Sequence, residues 1–330
     1  MSSTEPLLVA ASLGAEGSAE PLVVNVVVRV DRLLDLDTIA QTFTAKVFIT
    51  AIVPGGAGRP ELVESMERVY FERFSFLNAV SEEVHERKVE SCNNTDLVLK
   101  WKTTCTFEGP MELSNFPVDV QGLTIELTVN NKDDGPSPVK LVALTDRCVF
   151  DHRSHRLDSS WNLDKTMDLE VTKTDPALSS TASTYPILSV TIKAERRSMY
   201  YMWNVVVPMM SFVIMSFTSH AVPATDAADR LSLSLTLVLT GAAYKFVVAG
   251  MLPAISYTTM LDGYVMWCSF FLFLVVMDNA VMSLDGMQEF ENISLLVVII
   301  SFVLLNAIYG FKVIMLKRAA KRKRPPSPVD

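Results

Sequence analysis

One stretch of this chain, "RLSLSLTLVLTGAAYKFVVAGMLP" at positions 230–253, carries side chains at a spacing that suits ion conduction. An α-helix turns about 100° per residue. Measured from Ser232, the residues Thr236, Leu239, Ala243, Phe246 and Gly250 then fall within roughly 40° of one line, and Asp229 lies on the same side just before it. The stripe reads acid, hydroxyl, hydroxyl, then apolar. A ring of acids attracts cations, hydroxyls replace part of an ion's hydration shell, and a ring of Leu239 or Phe246 closes the path by dewetting. One helix cannot enclose a pore, so this chemistry requires several copies with the stripe turned inward. The same hydroxyls also suit helix packing or bonding back to their own backbone. Ser234 and Lys245 lie nearly opposite the stripe. Lys245 is left with three alternatives: a cavity behind the stripe, Asp262 or Asp278.

The elements that must hold this stripe follow from composition. The first 196 residues are mixed and polar, whereas Val, Leu, Met, Phe and Ala dominate from about residue 199 onward. Apolar runs at about 200–219, 231–252, 258–282 and 293–316 each reach the roughly 20 residues that a membrane-spanning helix needs. The expected organisation is a tail at 1–20, a folded domain at 21–196, a four-helix membrane domain at 197–318 and a basic tail at 319–330. Both chain ends then fall on one side of the membrane.

The first domain reads as strands. Valine-rich "LVVNVVVRVDRLL" (22–34) is followed by partly alternating segments at 37–53, 97–107, 122–129, 167–173 and 186–195. Period-two alternation means one buried face and one wet face. Turn clusters at 54–60, 92–96 and 130–138 separate them, and only the stretch near residue 65 suggests a short helix. Short strands with polar turns predict an immunoglobulin-like β-sandwich.

The net charge of −8 leaves no basic groove, which argues against nucleic acid as a partner. The basic run "KRAAKRKR" (317–324) suits a stop signal and lipid-headgroup anchor for the last helix. Four cysteines, Cys92, Cys105, Cys148 and Cys268, show no metal-ligand spacing, although Cys92 and Cys105 are candidates for a pair. His85, His152 and His155 show neither catalytic nor metal-binding spacing. No enzyme, cofactor or metal is expected. Residues 6–15 are apolar enough for a leader but have no basic residue before them.

The segment "FPVDVQ" (116–121) resembles the FPxDxQ signature of the pentameric ligand-gated ion channels, the Cys-loop receptor superfamily. Other parts agree in order. "VYFERFSFLNA" (69–79) is similar to a WxPDxxxxNA segment, with Tyr70 and Glu72 as departures. "ERRSMYYMWNVVVP" (195–208) resembles the start of the first membrane helix, and "DRLSLSLTLVLTGAAY" (229–244) with "LPAISYTT" (252–259) resembles the second helix and its linker. The resemblance covers about residues 22–316. Gly109 and Leu123 stand where the signature disulfide would need cysteines, and the link at 283–292 is too short for an intracellular domain. Both features resemble minimal prokaryotic-type members.

The resemblance implies a homopentamer with the sandwich outside a plasma membrane and lipids around the helices. Monovalent cations are the expected permeant species, because Asp229 on the stripe would select them. The resemblance places a gating joint at Asp35, Asp37, Phe116, Pro117, Asp119, Arg196, Arg197, Pro253 and Tyr257, where acids beside arginines suit either a switch or a static ion pair. Phe48 and Tyr185 are the implied ligand contacts, each equally suited to sandwich core. Leu77 and Asn130 replace aromatic residues of the ligand box, which disfavours an amine held by cation–π contact and leaves a small molecule, protons or calcium. The charge pattern opposes the implied topology: Arg196, Arg197 and the basic tail fall outside, the reverse of the positive-inside rule. An anion-selective channel and a non-conducting membrane-anchored receptor are the alternatives.

Overall fold

A computed structural model describes residues 22–54, 74–92, 96–130, 139–151, 156–177, 183–250, 255–284 and 287–322. The short helix expected near residue 65, the first part of "VYFERFSFLNA" (69–73), His152, His155 and the end of the basic tail lie outside the described residues.

The chain divides into two compact units. One holds residues 1–111 and 121–194, and the other holds residues 112–120 and 195–330. The signature segment around Phe116 thus belongs to the helical unit, although it lies between two strands in sequence.

The first unit is built from two sheets. The larger has the order β4(Ala79–Cys92), β5(Asp96–Glu108), β2(Thr42–Val53), β1(Leu22–Asp37), β7(Val139–Ala143), with β8(Val149–Phe150) also on β1. The smaller has the order β3(Phe74–Phe76), β6(Val120–Val129), β10(Pro186–Arg196), β9(Trp161–Lys173). In β2 every second residue is buried: Phe43, Ala45, Val47, Ile49, Ala51 and Val53. These side chains meet Leu123, Ile125 and Leu127 of β6 and Leu188, Val190 and Ile192 of β10 in one core. The unit is therefore the β-sandwich that the alternation predicts, since a face of Val, Ile and Phe must be covered to leave water.

Two differences from expectation have local causes. Residues 38–41 form a turn in place of strand, with Gln41 at φ 55° and the Asp37 carboxylate accepting from the N–H groups of Ile39 and Ala40. β4 has no apolar alternation because it is an exposed edge strand, and its charges suit that place.

The second unit contains four helices long and apolar enough to span a membrane: α1(Met199–Ala221), α2(Ala227–Ala249), α3(Met260–Met282) and α4(Glu291–Arg322). α1 contains a π-helical turn at Met202–Val206 just before Pro208. Pro208 has no N–H to give the carbonyl of Asn204, and the Tyr244 hydroxyl of α2 donates to that carbonyl. α2 and α3 approach closely at Gly241, where a Cβ would sit 2.8 Å from Leu272 Cδ1.

Candidate ion pathway and coupling loop

The face of α2 that packs inside the unit is narrow. Arg230, Ser234, Gly241 and Val248 are its buried residues. Asp229, Ser232, Thr236, Leu239, Ala243, Phe246 and Gly250 are all exposed, with Leu239 at 71% and Phe246 at 81%. Helical geometry thus puts the polar–apolar stripe on a face that no described residue of the same chain covers. The Thr236 hydroxyl donates to the Ser232 carbonyl at 2.7 Å, and Thr240 donates to Thr236 at 2.8 Å. Each still offers its oxygen lone pairs outward, because a hydroxyl that donates once remains an acceptor.

Ser234 has a packing role. It donates to the Arg230 carbonyl at 2.9 Å and accepts from Asn279 Nδ2 at 2.6 Å. Asn279, fully buried on α3, also donates to Ser219 Oγ at 2.8 Å. Next to it in sequence, Asp278 accepts from His220 Nε2 at 2.9 Å and from the Ser294 hydroxyl. Arg230 Nη2 pairs with Glu291 Oε1 at the start of α4. All four helices are therefore joined by polar contacts at this end. Single polar residues inside apolar runs signalled Ser234, Asp278 and Asn279, but their partners are distant in sequence and sequence reasoning did not pair them.

Lys245 is exposed and lines a cavity of about 450 Å³ together with Asp262, Ser256, Tyr257 and Thr258. Asp278 is engaged by His220 and Ser294 at the other end of α3, about 24 Å from Asp262 at 1.5 Å per residue. Asp262 therefore shares the cavity with Lys245, whereas Asp278 is committed elsewhere.

The 112–120 segment packs into the helical unit. Leu113 and Phe116 join the core of that unit beside Leu261 and Val205. The carbonyls of Ser114 and Phe116 accept from Met260 N at 3.0 Å and Leu261 N at 3.2 Å. These are first-turn N–H groups of α3, which have no partner within their own helix. Thr259 and Asp262 satisfy others through a reciprocal capping box. Leu113 N donates to the Tyr257 hydroxyl at 2.9 Å. Asp119 pairs with Arg196, whose guanidinium carbon also lies 4.9 Å from the Phe116 ring centroid. Pro117 is buried in the same loop, while Arg197 is exposed. Pro253 lies outside the described residues. In the sandwich unit, the Asp35 carboxylate accepts from Leu36 N at 2.9 Å, and Asp37 closes its own turn.

Phe48 lies on β2 of the larger sheet, and Tyr185 immediately precedes β10 of the smaller. Phe48 is half-buried and points away from the buried residues of β2, so it is not sandwich core. Its cross-strand neighbours are Arg29 on β1 and Lys102 on β5, and both cations lie near Asp31, at 2.8 and 3.7 Å. Tyr185 exchanges hydrogen bonds with Thr174 across the base of the 175–184 loop, at 2.8 and 2.9 Å. Part of that loop, and Asn93 to Thr95, lie outside the described residues. Leu77 and Asn130 are exposed. Cys105 is a free, buried thiol, so it does not pair with Cys92. The register explains this. Cys105 stands opposite Glu82, whereas Cys92 stands opposite Asp96, and a separation of nine residues along β5 is about 30 Å. Among the described residues, no cluster of three His, Cys, Asp or Glu side chains is arranged to hold a metal ion.

A two-sheet sandwich and four membrane-length helices, the parts that the resemblance to the Cys-loop receptor superfamily implies, are both present, and the chain has weak sequence similarity to receptor subunits. Comparison with known proteins matches 195 residues to the gamma-aminobutyric acid receptor subunit gamma-3 of Mus musculus at 20% identity, covering 58% of this chain and 39% of the relative. The human gamma-3 subunit is 21% identical over the same length, and the gamma-4 subunit of Gallus gallus 23%. The match spans well under half the length of these curated relatives. No family model matches the chain. The relatives are receptor subunits and not enzymes. With four helices long and apolar enough to cross a membrane, the chain is a multi-pass integral membrane protein.

Proposed function

We propose that this chain is one subunit of a homopentameric, ligand-gated, cation-selective ion channel. The observation that carries the reading is the exposure of the whole α2 stripe, with the narrow buried face of Arg230, Ser234, Gly241 and Val248 on the opposite side. Leu239 and Phe246 are the most exposed large apolar side chains of α2. Five copies with these stripes facing one axis give a polar mouth at Asp229 and Ser232 and a dewetting constriction at Leu239 and Phe246. Lipids cover the outer helix faces. Ligand binding in the sandwich shifts a closed–open equilibrium, and the Phe116 loop, held by Arg196 and by the start of α3, transmits the shift. The ligand is a small molecule, a proton or calcium.

The test avoids the unknown ligand. Leu239→Ser, expressed at the cell surface, is recorded in a sodium chloride gradient without agonist. A hydroxyl ring wets the constriction, so the expected result is a standing leak that reverses near the sodium potential. Reversal near the chloride potential would keep the pore and overturn its cation selectivity. Surface protein with no leak would favour a non-conducting receptor.

A further inference from the structure

Asp229 and Arg230 are consecutive in the first turn of α2, yet their surroundings are opposite. Asp229 is exposed on the stripe, and Arg230 is completely buried. A pore mouth carrying both charges side by side in every subunit would have almost no net field. Arg230 is instead matched by Glu291, the first residue of α4, whose side chain is 20% exposed. Two further nitrogens of Arg230, Nε and Nη1, have no hydrogen-bond partner among the described residues. Its burial therefore depends on one carboxylate. Among the described residues Glu291 is the acid that Arg230 pairs with, while Asp278 is occupied by His220 and Ser294.

We infer that Glu291 is a determinant of ion selectivity that acts through Arg230: it holds the guanidinium inside the bundle and cancels its charge, leaving the field of Asp229 on the stripe unopposed. This rests on the cation-channel reading above. Removal of the carboxylate leaves a cation that is buried and unpaired, which is too costly to persist. The flexible arginine then turns toward water, beside Asp229, and opposes its field. Glu291 is a positioning residue, and it does not itself line the stripe.

The full-length chain is tested in the Leu239→Ser background, so that current flows without a ligand. Glu291→Gln is expected to move the reversal potential from sodium toward chloride, with the cation-to-anion permeability ratio falling by about fivefold or more, as one uncancelled charge per subunit at a pore mouth requires. Glu291→Asp keeps the charge and is expected to stay near the parent. Adding Arg230→Gln to Glu291→Gln removes the cation and is expected to restore sodium selectivity, which a merely structural role for Glu291 would not do. An unchanged reversal potential in Glu291→Gln, in a channel that Asp229→Arg inverts, would overturn this inference and leave the proposed function standing. If Asp229→Arg also changes nothing, the cation filter itself falls. Should Glu291→Gln fail to reach the surface, Glu291→Ala takes its place: a reversal potential moved toward chloride supports the inference, and no change overturns it.

Discussion

Asp119 and Arg196 form a two-point ion pair, with Nε 2.8 Å from Oδ1 and Nη2 3.3 Å from Oδ2. Both side chains are withdrawn from solvent, at 2% and 10% exposure. The same guanidinium faces the Phe116 ring, and that ring packs edge-on against Tyr201 of α1 at 4.6 Å. Removing one member of a buried pair strands the other, at a cost of about 3–5 kcal/mol, whereas replacing both with apolar groups is often neutral. Asp119→Leu should therefore lower the unfolding temperature sharply, and Asp119→Leu with Arg196→Met should recover most of the loss. Equal losses in the single and double variants would mean that the pair contributes little.

The Tyr244 hydroxyl replaces the N–H that Pro208 lacks. Tyr244→Phe leaves the Asn204 carbonyl with one donor fewer, at a cost of about 1–3 kcal/mol. Pro208→Ala restores a backbone N–H, so the double variant should be less destabilised than the sum of the two singles. A thermal-unfolding double-mutant cycle reads this directly, and strict additivity would refute it.

Burial pushes the Cys105 thiol up to about 11, partly offset by the neighbouring Thr103 hydroxyl. At pH 8 only about one molecule in a thousand carries the reactive thiolate. Iodoacetamide should leave Cys105 unmodified in the folded protein and label it quickly after denaturation. Mass spectrometry of tryptic peptides checks both states. Fast labelling in the folded state, or a peptide joined through Cys92 and Cys105, would contradict the structure.

Glu90 accepts from Lys100 and stands beside Lys88, each at 2.6 Å. The hydrogen bonds from Lys100 and then Lys88 hold its carboxyl down at about 2. A carboxylate lowered on folding contributes stability above its unfolded value near 4.5, and that contribution is lost as the pH falls through about 2. The site is solvent-screened, so the contribution is small. Carbon NMR should find the Glu90 midpoint well below the ordinary glutamate range. Lys100→Ala should raise it, and an unchanged midpoint would remove Lys100 as the cause.

Elements set by local chemistry were legible in the sequence. Each membrane helix needs only a run of apolar residues, and the four observed helices fall within a few residues of the runs, apart from the charged extension of α4 to Arg322. The strands with alternating Val, Phe and Ile were legible for the same reason. The angular grouping from Ser232 to Gly250 was legible because helical pitch is constant. The tertiary structure decided what depends on residues far apart in the chain. β4 is a strand only because β5 lends its edge, since its own side chains have no buried face. Phe116 and Leu113 join the helical core although strands flank them in sequence. Arg230 and Glu291 meet across 61 positions, and Asn279 and Ser234 across 45. Period and hydropathy follow from neighbours along the chain. The partner of a buried charge follows from the cost of leaving it alone in an apolar interior, and only the packing of distant helices can supply that partner.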